Sequence, residues 1–423
     1  MTEQVTKSIF DLEEYKPYQE RWEDRQKELK RRKSYYTGDV YKNVREQLGF
    51  LAPRLYRGVK PLYLPLARAV DVDAGIIPGG WPLVEGAQEK QIEAMKTIFD
   101  WSNWGTEGVL FVHYGAQYGV SGLKVSDLRD DKKVLVQPVD PQRFMLEQTS
   151  AYDPTPGLSF FIEDRVAADG NTVEYAEVIT PENINIYING VTQEYDGQDA
   201  QSVNELGFVP YVEVRHIETG EALGECTYQK AIPMLDEVNQ LASYLADIIA
   251  KNAEPQWAVF GAEASDLEKS GDNVWFVPMD GDVKAVLPVI DIAGVLAFVQ
   301  EIAKNVKNSL PELSFEELRE KSQIATATLE LQLLELVLKI RRSRPNYDAG
   351  LAEALRMAGR AAGTMSLRDI SILDDEALQI DPERPVLPLD PITEIELQMS
   401  QLALDREMAM GIGEGFDDGS EAV

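Results

Sequence analysis

The sequence predicts an α+β chain in which a β-rich block sits between helical segments. Three observations predict it. Apolar residues recur at helical spacing before residue 122 and after residue 224. Between residues 122 and 214 they fall instead into short β-branched runs separated by Gly, Asp, Asn and Pro. Apolar residues make up 44% and aromatics 9% of the 423 residues, enough to build cores. The length corresponds to roughly two to four domains.

In order, residues 11–33 read as a charged surface helix anchored by Tyr18, Trp22 and Leu29, stopping at Gly38. Residues 52–71 carry Pro53, Pro61 and Pro65 and predict no long helix. Helices follow over 88–101, with Ile92, Met95, Ile98 and Phe99 on one face, and 106–118, where Val109, Leu110, Val112, His113 and Gly115 give a buried face. Residues 123–125, 134–136, 160–162, 172–179, 184–188 and 211–214 read as strands, with Asn189-Gly190 as a hairpin turn.

From residue 224 the period returns to helical. Ile232, Leu235, Val238, Ala242, Leu245, Ile248 and Ile249 predict a helix over 228–252, roughly 37 Å long at 1.5 Å per residue. Pro233 is tolerated in its first turn and Pro255 stops it. Strands are expected at 256–260, 274–277 and 283–286, the last two joined by a turn at 279–282. A helix over 291–308 carries Val295, Phe298, Val299, Ile302 and Val306. After a segment at 309–322, a long helix runs over 323–342, is broken or kinked at Pro345, and resumes over 347–362. A proline-rich connector, an amphipathic helix over 392–410 and a Gly- and Asp-rich tail complete the chain, which has no internal repeat.

Charge is the strongest compositional signal. Lys plus Arg number 41 and Asp plus Glu 72, a net charge of −31. A chain that grips DNA clusters Lys and Arg against phosphates; this one as a whole repels them. Charge alone does not separate a solubility effect from a surface that nucleic acid passes without sticking. Cys226 is the one cysteine, so no disulfide framework or cysteine-based zinc site is expected, and a reducing compartment is. No signal-like or membrane-spanning apolar stretch is read.

Catalytic chemistry is not legible. His113 lies in an apolar helical run and reads as a packed core histidine; His216 follows a strand and reads as an exposed edge residue. Cys226, beside Glu225, has no cationic sequence neighbour to activate it and reads as an ordinary thiol. Asp127, Asp130 and Asp131 with Lys132 faintly resemble a metal site but read better as a polar hairpin loop. Gly411, Gly413 and Gly415 imitate a phosphate loop without the preceding strand. No enzyme and no cofactor are expected.

The order helix, small β insertion, returning helix, loop, long helix is the informative pattern. It occurs with local phrases: Ser34-Tyr35-Tyr36-Thr37-Gly38-Asp39, Gly224-Glu225-Cys226, Asn239 and Ser243 on the first helix, Ala253-Glu254-Pro255-Gln256, Phe260-Gly261, Leu310-Pro311 and Gln323-Ile324-Ala325. In this order the chain resembles the portal proteins of tailed bacteriophages over most of its length, roughly residues 20–363. It departs from them at Ser322-Gln323-Ile324-Ala325, where many relatives have a Ser-Gly phrase, and in its short C-terminal region, which puts a large crown in doubt.

The resemblance implies a portal-type subunit: a mixed α/β wing at 1–221, a two-helix stem at 222–254 and 291–309, and a β-containing clip at 255–290. A tunnel loop at 310–322, a long kinked wing helix with its continuation at 323–380, and a short helical crown with an acidic tail at 381–423 complete it. It further implies a dodecameric ring at one capsid vertex, assembled in the host cytoplasm, through which double-stranded DNA passes without tight sequence-specific binding. Its partners would be the large terminase subunit, the major capsid and scaffolding proteins and a head-completion adaptor, with no membrane. Asp236, Glu237 and Asp247 would line the channel. Lys304, Lys307, Pro311, Glu312, Ser314, Glu317, Arg319 and Lys321 would lie at the tunnel loop, and Trp257, Phe260, Trp275, Asp280 and Asp282 at the clip. The basic loop residues could equally pair with Glu312, Glu316, Glu317 and Glu320, and Ser314 with Glu317 fits a capping box. Two alternatives stay open: another virion component, such as a minor capsid or adaptor protein, and an acidic hydrolase.

Overall fold

In a computed structural model of the chain, the described residues are 8–40, 64–78, 88–150, 152–166, 170–253, 256–260, 268–269, 275–276, 282–286, 292–314, 333–380, 384 and 386. Two 3-10 turns, Ile9–Asp11 and Lys16–Tyr18, precede helix α1, Gln19–Thr37. The helix therefore starts later than the expected 11–33. The reason is tertiary: Phe10, Tyr15 and Tyr18 pack their rings on Phe160, and Pro17 lies in the second turn. Gly38 ends α1 in the left-handed conformation at φ 77°, its N–H donating to the Tyr35 carbonyl.

Helix α2, Leu66–Ile76, begins directly after Pro65 and buries Leu66, Ala69, Val70, Asp73 and Ala74 along one face. Part of the proline-rich 52–71 stretch is thus helical, because Pro65 precedes the helix instead of interrupting it; residues 52–63 lie outside the described residues. Helices α3, Glu89–Trp101, and α4, Trp104–Tyr118, follow as the apolar spacing predicts. The buried face of α4 is Trp104, Gly108, Phe111, Val112 and Gly115, while Val109 is exposed and His113 is only half-buried, edge-on to Tyr36. The expected packed core histidine at 113 is corrected accordingly.

Among the described residues nine strands come next: β1 Val120–Leu128, β2 Lys133–Val139, β3 Phe144–Ser150, β4 Asp153–Val166, β5 Thr172–Ile179, β6 Asn183–Ile188, β7 Val191–Thr192, β8 Gln201–Val203 and β9 Tyr211–Arg215. They form two sheets. One has the order β2-β1-β9; the other runs β3-β4-β5-β6-β7 with β8 also on β6, and all the pairings are antiparallel. Asp130 and Asp131 lie in the exposed turn of the β1–β2 hairpin, as the loop reading expects. Asn189 and Gly190, at φ 50° and 71°, make the left-handed two-residue turn between β6 and β7.

Helix α5, Ile232–Ala253, and helix α6, Ile292–Asn308, pack against each other with the insertion between them. In the insertion, β10 Gln256–Phe260 pairs antiparallel with β13 Asp282–Val286, and β11 Glu268–Lys269 with β12 Trp275–Phe276. The expected hairpin between 274–277 and 283–286 is therefore replaced among the described residues. Since α5 and α6 lie side by side, the strands that follow one helix and precede the other meet.

Helix α7, Leu334–Thr364, is continuous through Pro345, so of the expected break or kink the break does not occur; residues 323–332 of the expected long helix lie outside the described residues. An interior proline costs about 3 kcal/mol. Pro345 lies on the exposed face, and the flanking Arg344, Tyr347 and Asp348 are buried. The helix also buries Leu336, Ile340, Leu351 and Leu355, each contributing about 1.5–3 kcal/mol, which outweighs the proline. Together α3, α4, α7 and the β2-β1-β9 sheet enclose the main core. Helix α8, Arg368–Ser371, and Arg384 close over it, Arg384 pairing with Asp348 at 2.7 Å while its carbonyl accepts from Arg344.

Candidate functional site

The α5–α6 pair divides into two halves. At its base, Ile232, Leu235 and Val238 meet Val306, Leu310 and Leu313, over Tyr35 from α1 and Leu66 and Val70 from α2. Further along α6 the same apolar character continues at exposed positions. Leu296 is 45% and Phe298 55% exposed, and Ala293, Gly294 and Ala297 are exposed too, while Val295 and Val299 are half-buried.

The channel candidates lie on this pair. Glu237 is exposed on α5, whereas Asp236 is half-buried and accepts a hydrogen bond from Tyr35 at 2.8 Å. Asp247 is on α5, and its side chain lies outside what is described. Lys304 and Lys307 are exposed on α6. Pro311–Ser314 forms a 3-10 turn with Pro311 half-buried. Glu312 does not project as a loop residue: it is 0% exposed and faces the interior, drawn there by Lys339 and flanked by the buried Leu310 and Leu313. Glu317, Arg319 and Lys321 lie outside the described residues, as does Asp280. Trp257, Phe260, Trp275 and Asp282 are placed in the strands of the insertion by their backbone alone.

Beneath the pair lies a buried polar junction that sequence reading missed. His216 was expected at an exposed edge and is instead 0% exposed. Its Nδ1 is 2.8 Å from the Tyr347 hydroxyl, and its Nε2 is 3.1 Å from Thr227 Oγ1 and 3.5 Å from Asp73 Oδ2. Thr227 donates its hydroxyl to Asp73 Oδ2, so Nε2–H is left to donate to Thr227 and Nδ1 to accept from Tyr347. This network calls for a neutral imidazole, in accord with burial holding its pKa below the ordinary histidine value. Lys339 Nζ donates to the Thr227 carbonyl at 3.0 Å and to Glu312, and lies 3.8 Å from Asp73 Oδ2. Gly115 makes room for Tyr347, since a Cβ there would overlap its hydroxyl.

Electrostatics in this junction are uneven. Burial alone would raise Asp73, but Lys339, His216 and Thr227 outweigh it and hold the carboxyl below its usual value. Burial and the Asp73 charge push Glu312 up to about 7, with Lys339 opposing. Lys339 is raised: burial disfavours its charge, and the two carboxylates more than restore it. Asp73 Oδ1 and Glu312 Oε2 are buried without hydrogen-bond partners. One ammonium thus serves two carboxylates, the arrangement in which one of them retains a proton near neutrality.

Thr227, His216 and Asp73 superficially resemble a hydroxyl–imidazole–carboxylate triad. The geometry argues otherwise. The hydroxyl donates to the carboxylate directly, the imidazole's other nitrogen faces Tyr347, and both His216 and Asp73 are out of reach of any substrate at 0% and 1% exposure. Cys226 is buried and its thiol is pushed up to about 11 by burial. Among the described residues, no group of three or more His, Cys, Asp or Glu side chains is placed to hold a metal ion. Among them, too, no helix is long and apolar enough to cross a membrane.

No family model matches this chain, and no curated protein does. Several solved structures are similar to it. One is a chain in the neck of an empty gene transfer agent particle, 13% identical, covering 84% of this chain and 88% of that one, at a TM-score of 0.43. A chain in the virion of a native gene transfer agent particle is 12% identical over 84% and 88%, at 0.41. An HK97 family phage portal protein from Corynebacterium diphtheriae is 12% identical over 75% and 91%, at 0.36.

Proposed function

We propose that the chain is a portal-type structural subunit. Copies of α5 and α6 would stand around a shared central hole, in a dodecameric ring that conducts double-stranded DNA at a capsid vertex. One observation carries the reading: the first half of α6 presents Leu296 and Phe298 to water. Leu296 and Phe298 lie on the two flanks of the half-buried Val295 and Val299, and a self-contained domain seldom leaves large apolar side chains wet on both flanks of a helix; neighbouring copies on either side are what would cover them. The order of elements supports the same reading, with a strand-bearing insertion at the far end of the pair and the body at its base. The excess of acidic residues suits a wall that DNA slides past, since several phosphate contacts together would hold it. In this reading the insertion docks the packaging motor and later the adaptor, and the sheets of the wing sit in the shell among capsid and scaffolding proteins. Glu237, Lys304 and Lys307, exposed on the pair, are its channel-facing candidates.

Light scattering on the purified full chain tests this. Wild type is expected to have the mass of a closed oligomer. Each apolar side chain covered at a subunit contact contributes about 1.5–3 kcal/mol, so Leu296→Glu with Phe298→Glu is expected to leave monomers with an unchanged circular dichroism spectrum. Equal masses for the two proteins would exclude these two side chains from the subunit contact.

A further inference from the structure

We propose that the turn Pro311–Ser314 is held to the body by a proton-controlled latch, in which Glu312 swings between Lys339 in the interior and solvent. The inference goes beyond the ring reading and stands whether or not the chain assembles.

The latch joins parts that come from distant places in the sequence. Asp73 comes from α2, His216 follows β9, Thr227 leads toward α5, Glu312 follows α6, and Lys339 and Tyr347 belong to α7. Glu312 lies on the short turn Pro311–Ser314, and Thr227 lies on a turn too, but Thr227 is tied by its backbone, its N–H donating to the Ala116 carbonyl and its carbonyl accepting from Lys339; Glu312 is held through its side chain, so it is the member able to leave without unpacking an α-helix or a sheet. Leu310 and Leu313 seat the turn by apolar contact. Lys339 keeps the Thr227 carbonyl and Asp73 when Glu312 departs. Among the described residues, the charged and titratable groups facing Glu312 are therefore Lys339 and Asp73, with His216, Tyr347 and Cys226 around them.

The direction follows from charge. With both carboxylates ionised and His216 neutral, the junction holds one cation for two anions. Protonating Glu312 removes the excess. In the closed state its carboxyl titrates near 7, whereas in water it would return to the ordinary value of 4.5. The closed state therefore takes up the proton first. Closing is favoured as pH falls through about 7 and loses that support above it, where the turn opens more often. Within the ring reading, this turn is where the chain leaves the second channel helix, so the latch would set how firmly that helix is tied to the body.

Hydrogen exchange of the full chain reads the latch at the amides of Ser309, Leu310 and Leu313, which donate to Asn305, Lys307 and Leu310. After correction for intrinsic exchange, wild-type protection at these amides is expected to rise about tenfold from about pH 8 to about pH 6. In Glu312→Gln, which is neutral at every pH, that rise is expected to vanish. A purely structural role would instead shift protection equally at both pH values. In Lys339→Met, loss of the ammonium is expected to move the midpoint of the rise above that of wild type. The same slope in wild type and Glu312→Gln, or no slope in wild type, would overturn the latch. Oligomer mass, recorded alongside, reports on the ring reading separately.

Discussion

Gly119→Ala is expected to destabilise the chain by about 4 kcal/mol or more, a large share of the usual 5–15 kcal/mol of a folded domain. Gly119 ends α4 and turns the chain into β1 at φ 81°, a conformation that costs a residue with a Cβ about 1–3 kcal/mol. It is also crowded. A Cβ there would overlap the Gly224 carbonyl and Arg32 Nη1. That guanidinium nitrogen donates to the carbonyls of Tyr118 and Gly224 at 2.6 and 2.7 Å, and the Gly119 carbonyl accepts from His216 N–H at 2.9 Å. The substitution therefore pries apart α1, α4 and the segment entering α5 together. Gly220→Ala is the control: its φ of 82° is equally left-handed, but nothing lies within 4 Å of the new atom. It is expected to cost about 1 kcal/mol, within the strain of the backbone alone. Chemical denaturation of both variants measures the difference, and equal losses would remove the steric part of the argument.

Lys339→Met has the second largest expected effect. It strands Asp73 and Glu312 in the interior with no cation, a situation that costs about 3–5 kcal/mol when a buried pair loses one partner. The loss is expected to be larger at about pH 8 than at about pH 6, because without the ammonium Glu312 titrates above its wild-type value of about 7 and by pH 6 carries its proton. Combining it with Glu312→Gln should restore part of the stability, since one uncompensated charge is gone. A double-mutant cycle measured by denaturation checks this; strict additivity of the two substitutions would contradict a shared cluster.

Much of the fold was legible because its periods are strong. The helical spacing from Ile232 to Leu245 and from Val295 to Val306 found α5 and α6, and Asn189-Gly190 marked a turn that requires two left-handed residues. What failed was whatever tertiary packing decides. Helix α1 begins late because Phe10 and Tyr15 prefer the sheet, and α7 passes through Pro345 because its apolar face is long. The junction was missed through attention to residue type over position. His216 continues the alternation of Val212 and Val214 and so belongs to the inward face of its strand. Asp73 lies between Val70 and Ile77 on the buried stripe of α2, and Glu312 between Leu310 and Leu313. Each breaks the pattern with one polar side chain on an apolar face, and sequence alone does not reveal that Lys339 faces the two carboxylates.

Electron microscopy of the purified full-length chain tests the central claim most directly. Particles with a central hole and about twelve-fold symmetry, lined by the helix pair and with Phe298 covered by the adjacent copy, are the predicted result. Compact particles without a hole, in which Leu296 and Phe298 remain wet, would contradict it.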